Sequence, residues 1–395
     1  MSQIKAHICI VSDQPLPNIL PVLHPEMKPE KVYLLCSEEQ RKQSNDKAQK
    51  KIIESLGCKV DIVDVSSAFD IEVIGEQTEN ILKGYAEPHN NLLLNATGGT
   101  KPMSIAAFEQ CVCHDIGVFY VQTPEIIWLS ESSRFASWSH IPNSLPLQKF
   151  IEAHCLDLQH LQPNRIPSAQ SEMSISWADR AEKYSKEYSS INRYASLAKD
   201  HDLVMSIPNK DHRGNFQSLL SELEHGGYIR AEETGKLTAS NAYRFVSEEC
   251  RRFVNGGWLE DYVFQQIRSL KDIYPQINDV ARNIEVKSNR NITRLETRNE
   301  LDVVAIVNNR MWVFECKTRI YEKSSTHGEE MIYKLAGIMK NMGGMRTRGC
   351  VVSFNALRNV EKSRADLLNI DVVDGRHLSK NNFRSKLVQI FGLKG

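Results

Sequence analysis

Residues 299–317 read NELDVVAIVNNRMWVFECK, and this stretch decides how the second half of the chain folds. Two apolar runs, Leu301 to Val307 and Met311 to Phe314, flank Asn308-Asn309. That pair tolerates the positive φ of a tight turn, so the stretch predicts a β-hairpin. Charges interrupt it. Asp302 enters the first strand, while Glu315 and Lys317 stand two apart in the second and therefore share a face. Burying such groups is costly unless they are paired or hold a metal. Asp302 and Glu315 offer a hard-oxygen site for Mg2+ or Mn2+, to which the backbone carbonyl of Cys316 can add a ligand. A metal there polarises a scissile phosphate, and Lys317 is placed to orient or deprotonate the attacking water and to offset developing charge. The rival reading is a sheet edge charged against aggregation; the seat of the acids and lysine on consecutive predicted strands speaks against it.

Working outward, Gly256-Gly257-Trp258-Leu259-Glu260 opens a helix through Leu270, with Trp258 and Leu259 as core anchors. Arg282, Lys287, Arg290, Arg294 and Arg298 then form a basic run, read either as phosphate contacts or as a solvated loop. Beyond the hairpin come a helix from Glu329 to Asn341 stopped by Gly343-Gly344, a strand from Cys350 to Phe354 and a closing strand from Asp371 to Val373. Tyr333, Lys334, Lys340, Arg346 and Arg348 are expected along the entrance as phosphate holders.

The first third alternates strands and helices, which predicts a doubly wound, mostly parallel sheet. Strands are expected at Ile8 to Val11, Lys31 to Cys36, Lys59 to Val65, Asn91 to Ala96, Val118 to Gln122 and Ile126 to Leu129, and helices over Glu38 to Leu56, Asp70 to Tyr85 and Met103 to Cys113. Ligands bind such sheets beyond the carboxyl ends of the strands. Ser12-Asp13-Gln14 and Thr97-Gly98-Gly99-Thr100-Lys101 both fall at such ends. In the second, two glycines expose backbone N–H groups, Thr97 and Thr100 add hydroxyls, Lys101 adds a cation, and Pro102 suits the first turn of a helix. A phosphate or nucleotide suits that loop, although the spacing is not that of a P-loop, and a plain glycine turn with a capped helix is the alternative.

Pro142, Pro146, Pro163 and Pro167 with a Ser-rich stretch mark an exit helix, Leu147 to Cys155, and a linker. Polar helices follow from Trp177 to Ala198 and Asn215 to Glu224, and then a hairpin around Thr234-Gly235-Lys236. That order leaves open a winged-helix-like outline or a helical spacer.

With 395 residues, 41% hydrophobic and 25% charged, the chain has the composition of a soluble globular protein of two or three domains. No apolar run approaches the length of a membrane span and the first residues lack a signal-peptide layout, so a cytoplasmic location without membrane contact is expected. Nine scattered cysteines with no CxxC pair argue for reduced thiols rather than zinc or disulfides. A net charge of zero means that any nucleic-acid binding must be local.

The pattern Asp302…Glu315-x-Lys317 resembles that of the PD-(D/E)xK restriction-endonuclease-like nucleases, and TGGTKPM after an apolar strand, with a Ser-bearing turn after the first strand, resembles the CARF domain. Together they resemble the CARF nuclease effectors of type III CRISPR systems. The resemblance implies an α/β chain with a Rossmann-like CARF sensor at residues 1–156, an α-rich linker region at 157–249 and a nuclease domain at 250–395. It implies a homodimer that binds cyclic oligoadenylate, most often cyclic tetra-adenylate, and cleaves DNA or RNA with Mn2+ or Mg2+. By position, Ser12, Gln14 and Asn18 would belong to one ligand loop, Thr97, Gly98, Gly99, Thr100 and Lys101 to the other, and Glu260 to the metal site. Two alternatives stay open: a CARF transcriptional regulator with an inert nuclease fold, and a ring nuclease that degrades the cyclic oligoadenylate.

Overall fold

The computed structural model describes residues 4–130, 135, 137–141, 145–161, 165–232, 240–289, 298–318, 327–342 and 347–393. The expected features at Arg290, Arg294, Arg346, Pro142, Pro163, Thr234-Gly235-Lys236 and Gly343-Gly344 lie outside them.

The N-terminal sheet contains β1 (Ala6–Ile10), β2 (Lys31–Ser37), β3 (Lys59–Val65), β4 (Leu92–Asn95), β5 (Gly117–Gln122) and β6 (Glu125–Trp128), in the order β3-β2-β1-β4-β5-β6. All pairs are parallel except β5–β6. Helices α1 (Leu16–Ile19), α2 (Glu38–Lys42), α3 (Asn45–Ser55), α4 (Ile71–Gly84) and α5 (Lys101–Cys113) cover its faces. Parallel strands covered on both sides need continuous apolar runs, which is why VYLLC and LLL read as unbroken hydrophobic stretches. The expected helix from Glu38 to Leu56 breaks in two because Ser44 takes a left-handed conformation, φ 62°. Strand order reverses between β1 and β4, which opens the crevice where such sheets hold ligands.

The exit from this sheet differs from the expected linker. Helix α6 (Leu147–Ala153) leads into β7 (Leu156–Leu161), which pairs antiparallel with β11 (Ile277–Ser288) as the edge of the C-terminal sheet. The boundary expected at 156/157 therefore falls at the start of a strand. Leu156-Asp157-Leu158 alternates with the period of a half-buried strand. One apolar cluster runs through both halves, including Val11, Phe150, Leu156, Ile284, Val304 and Met311.

The middle region comprises α7 (Ser168–Asp179), α8 (Ser185–Leu197), β8 (Val204–Pro208), α9 (Gly214–His225), β9 (Ile229–Ala231) and β10 (Ser240–Phe245). Its three strands lie in the order β8-β10-β9, all antiparallel. Trp177 stacks on Tyr188 at 4.8 Å between ring centres and meets Trp258 edge-on at 5.6 Å, so the region is welded to the C-terminal half by aromatic packing.

That half contains α10 (Glu248–Arg252), α11 (Trp258–Lys271), β11, β12 (Arg298–Val307), β13 (Arg310–Lys317), α12 (His327–Asn341), β14 (Thr347–Ser353), α13 (Asn359–Leu367), β15 (Ile370–Asp374) and α14 (Lys380–Phe391). Sheet order is β15-β14-β13-β12-β11-β7, antiparallel from β13 to β7 and parallel from β13 to β15. No helix among the described residues is long and apolar enough to cross a membrane.

Candidate active site and sensor pocket

The hairpin forms as its sequence requires. Asn308 and Asn309 have φ of 50° and 55°, the doubly positive geometry of the two-residue turn, and Val307 pairs with Arg310 across it. Val303 faces Phe314, and continuing that register brings Asp302 opposite Glu315. The Cys316 N–H donates to Asp302 Oδ2 at 2.7 Å. Lys317 Nζ lies 2.6 Å from Glu315 Oε1 and 3.6 Å from Asp302 Oδ2, and Lys334 Nζ approaches Glu315 to 4.0 Å.

Glu260 arrives from the other side. The chain kinks at Asn255-Gly256 before α11, and Gly256, at φ 118°, is packed so closely that a Cβ would lie 2.7 Å from Thr318 Oγ1. The kink sets Glu260 in the first turn of α11 beside the carboxylates of the sheet. Glu260, Glu315, Cys316 and Lys317 line a cavity of about 550 Å³. Asp302 is not part of that lining and is tied to it through the Cys316 N–H and Lys317. The Cys316 thiol is buried, and that burial holds it well above the usual thiol range.

The site is electrostatically tense. Burial, with Asp302 beside it, pushes Glu260 up to about 8, against the pull of Lys317. Burial pushes Asp302 up to about 6, with Lys317 opposing and Glu315 adding repulsion. Burial disfavours the Lys317 ammonium, yet Asp302 and Glu315 hold it above the ordinary lysine range. Among the described residues no three Asp, Glu, His or Cys side chains already converge as a metal site; the Lys317 ammonium stands between Asp302 and Glu315. The chemistry of the donors still fits a hard divalent cation, since the acidic groups are oxygen donors whose crowded negative charge a cation relieves.

Not every expected phosphate contact lies here. Arg282 is on a strand, not a loop: it is buried against Asp261 in an ion pair and stacks over Phe264 at 5.8 Å. Lys287 is half-buried on the same strand and Arg298 is exposed at the start of β12. Lys334 reaches the cavity, and Tyr333 beside it lies under Arg364 at 5.3 Å. Lys340 stands six residues further along α12, roughly 9 Å away along the axis. Arg348 pairs in register with Trp312, near the turn of the hairpin and far from Lys317, which pairs with Ser353. Asn255, Thr318 and Glu330 line the cavity and were not anticipated.

In the N-terminal half, Ser12, Gln14, Thr97, Gly98, Gly99 and Thr100 line a cavity of about 420 Å³ at the β1/β4 switch point. Asn18 and Lys101 do not. Asn18 is buried beneath, donating to Ile10 O at 2.8 Å and Gln49 Oε1 at 2.9 Å and accepting from Asn95 at 3.1 Å; Lys101 is exposed at the first position of α5. Two of the expected hydroxyl donors are already engaged: Thr97 Oγ1 bonds Asn95 Oδ1 at 2.6 Å and accepts from Val121 N, while Thr100 Oγ1 bonds Ala68 O and caps α5 through Met103 N. The glycines serve packing as well as exposure, since a Cβ on Gly98 would lie 2.1 Å from Ile10 O and one on Gly99, at φ 76°, would lie 2.3 Å from Ile10 Cγ2. Gln14 Oε1 is shielded from solvent with no partner among the described residues. Val11, Asp13, Pro17, Ser37, Glu39, Gln40, Ala68, Met103 and Tyr120 complete the lining; Ser37 and Ala68 lie at or just past the carboxyl ends of β2 and β3, a position that could have flagged them.

Two family models match these two halves: the Card1 CARF domain over residues 6–127, and the Card1-like endonuclease domain over residues 247–388. The chain belongs to the CARF nucleases. The fold of this CARF nuclease is shared with protein VC1899 from Vibrio cholerae, at a TM-score of 0.85 and 21% identity over 98% of each chain. It is shared too with Can2 from Sulfobacillus thermosulfidooxidans, solved in complex with cyclic tetra-adenylate, at 0.78 and 23% identity over 99% of this chain and 98% of that one. A type III CRISPR defence DNA nuclease activated by cyclic oligoadenylate aligns at 0.52 and 15% identity, over 89% of this chain and 46% of that one. No curated protein matches the sequence.

Proposed function

We propose that this CARF nuclease is a metal-dependent endonuclease that cyclic oligoadenylate, cyclic tetra-adenylate first among the ring sizes, switches on in type III CRISPR antiviral defence. One observation carries the reading: Lys317 stands between Glu315 and Asp302 in the wall of a cavity that Glu260 and Glu315 also line. Asp302, Glu315, Glu260 and the Cys316 carbonyl are the groups that would hold a Mn2+ or Mg2+ ion, which would supply Lewis acidity for phosphodiester hydrolysis. The chain's own groups do the rest. The Cys316 N–H fixes the Asp302 carboxylate, Glu315 orients the Lys317 ammonium, and Lys317 holds the attacking water and offsets charge on the phosphate.

In the sensor, Gln14 Oε1, shielded and without a partner among the described residues, is the group offered to a ligand, while the Ser12 hydroxyl beside it is held by the Gln14 backbone. Four linked nucleotides exceed a pocket of about 420 Å³, which suits a ring shared across the two-fold axis of a homodimer. Phe69 and Ile105, 74% and 57% exposed near that pocket, suit the dimer contact. The domains are assigned as sensor, 1–156, middle region, 157–249, and nuclease, 250–395, with the protein acting in the cytoplasm.

The test is cleavage of labelled single-stranded RNA, single-stranded DNA and supercoiled plasmid in Mn2+, with and without cyclic tetra-adenylate. Cleavage that requires both ligand and metal is expected, and it names the substrate. Binding of the ligand with no cleavage of any substrate would overturn the nuclease reading.

A further inference from the structure

The middle region presents a second concave surface beside the catalytic cavity. A groove of about 660 Å³ is lined by α8, through Lys186, Ser189, Ser190, Arg193 and Ser196 together with Asn192 at its inner edge. At 100° per residue, positions 186, 189, 190 and 193 fall on one face, within an arc of about 100°. Lys186 and Arg193 are exposed and the serines half-buried, and the sole acid of α8, Glu187, projects from another face. This groove adjoins the catalytic cavity. Buried Asn192 donates through Nδ2 to Thr318 Oγ1 at 2.5 Å, and Thr318 follows Lys317 and lines the catalytic cavity. Ser185 and Asn355 extend the tie, since Ser185 Oγ bonds Asn355 Oδ1 and Asn355 Nδ2 bonds Thr318 O, each at 3.4 Å.

We infer that α8 is a rail for the sugar-phosphate backbone of the substrate, leading it over Asn192 and Thr318 to Lys317; the inference rests on the nuclease reading of that site. Crowded carboxylates repel a polyanion, so the catalytic cavity needs cationic and hydroxyl groups on its flank to hold one. Serine hydroxyls with lysine and arginine are the groups that bind phosphates without reading bases. Lys186 and Arg193 are about 10 Å apart along the helix axis, the rise of roughly three stacked nucleotides. The helix that precedes the hairpin, the usual base-reader of a winged helix, is α9. Its outward residues are Asn215, Gln217, Ser218, Ser221, Glu224 and His225; Arg213 stands at the N-cap, and no lysine or arginine lies along the helix to follow phosphates. The middle region therefore serves the nuclease with α8 rather than reading sequence with α9.

The test is binding of labelled single-stranded RNA and DNA oligonucleotides to the full chain carrying Lys317→Ala, measured by anisotropy across a salt series with cyclic tetra-adenylate present. Adding Lys186→Glu with Arg193→Glu is expected to weaken binding roughly tenfold and to flatten the log–log salt slope by about 1.4, the loss of two phosphate contacts on a single strand. Affinity for cyclic tetra-adenylate stays unchanged. The milder pair Lys186→Gln with Arg193→Gln, which adds no negative charge, should flatten the slope by the same amount; Lys83→Glu with Lys271→Glu, on exposed faces elsewhere, should not. Binding and slope equal to the parent in both α8 pairs, or equal losses in the Lys83 and Lys271 pair, overturns the rail. If the rail pairs lose binding while the unsubstituted chain cleaves nothing, the nuclease reading falls and the nucleic-acid surface stands; if the chain cleaves and the rail pairs bind as the parent does, the rail alone falls.

Discussion

The sensor pocket and the catalytic cavity are similar in size and opposite in chemistry. The first is lined mainly by hydroxyls, amides and glycine backbone, with the Asp13 and Glu39 carboxylates beside them, and its supports are already bonded below: Asn95, Asn18 and Gln49 form a buried relay that ties the loop after β4 to the loop after β1 and to α3. The second crowds Glu260, Asp302 and Glu315 near one ammonium, with burial working against the charges of Glu260, Asp302 and Lys317. A pocket that only binds can be settled before its ligand arrives. A cavity that reacts keeps groups at a cost, which a cation or a transition state relieves.

The largest expected difference between them comes from Lys317→Ala. Removing the ammonium should lower cleavage by about 10³-fold while leaving cyclic tetra-adenylate affinity intact, because among the described residues the linings of the two cavities share no residue. Cleavage rate and ligand affinity measured on the same preparation decide it. Loss of both, in a chain that melts at the parent temperature, would show that the two pockets are one unit and break the comparison.

The tension of the catalytic cavity should appear as pH-dependent stability. Glu260 keeps its proton to about pH 8 in the folded chain and only to about 4.5 when unfolded. Between those values unfolding releases a proton, so metal-free stability falls as pH rises and levels off above 8. Asp302, held up to about 6, adds to the fall over the lower part of that window. Glu260→Gln should therefore stabilise the metal-free protein at pH 8 by on the order of 2 kcal/mol, a Tm rise of roughly 2–3 °C for a chain of 395 residues, and the gain should vanish below pH 4.5. Thermal melts in a chelator across pH 4–9 check this. A parent whose Tm is flat over that range would mean that the carboxylates are relaxed without a metal.

The hairpin was legible because its information is local: Asn308-Asn309 sets the turn, and the period of two then fixes which face Asp302, Glu315 and Lys317 share. The alternating α/β pattern of the first half was legible for the same reason. What escaped depends on partners distant in sequence. Leu156-Asp157-Leu158 is too short to declare itself a strand among prolines, and only β11 makes it one. Arg282 reads as one cation in a basic run, yet Asp261, twenty-one residues earlier on α11, takes it into the core. The hydroxyls of Thr97 and Thr100 look free in sequence and are spent on Asn95 and Ala68 in the fold. No pattern in the sequence announces that α8 borders the catalytic cavity, because that rests on contacts distant in sequence, among them the Asn192–Thr318 bond across 126 residues and the Ser185–Asn355–Thr318 tie.

The smallest expected effect separates the wall of the sensor pocket from its rim. Gln14 lines the pocket with a shielded acceptor, whereas Lys101 stands exposed at the start of α5, outside the lining. Gln14→Ala should cost the ligand a full hydrogen bond, about 1.4 kcal/mol or tenfold in affinity. Lys101 acts through solvent, where a single charge is worth well under 1 kcal/mol; Lys101→Ala should weaken cyclic tetra-adenylate roughly threefold at low salt and not measurably at 0.5 M, where screening is complete within about 5 Å. Titration of both variants at the two salt concentrations tests this. A salt-independent tenfold loss in Lys101→Ala would place that ammonium against a phosphate inside the bound ring, and would mean that α5 moves toward the pocket when the ligand arrives.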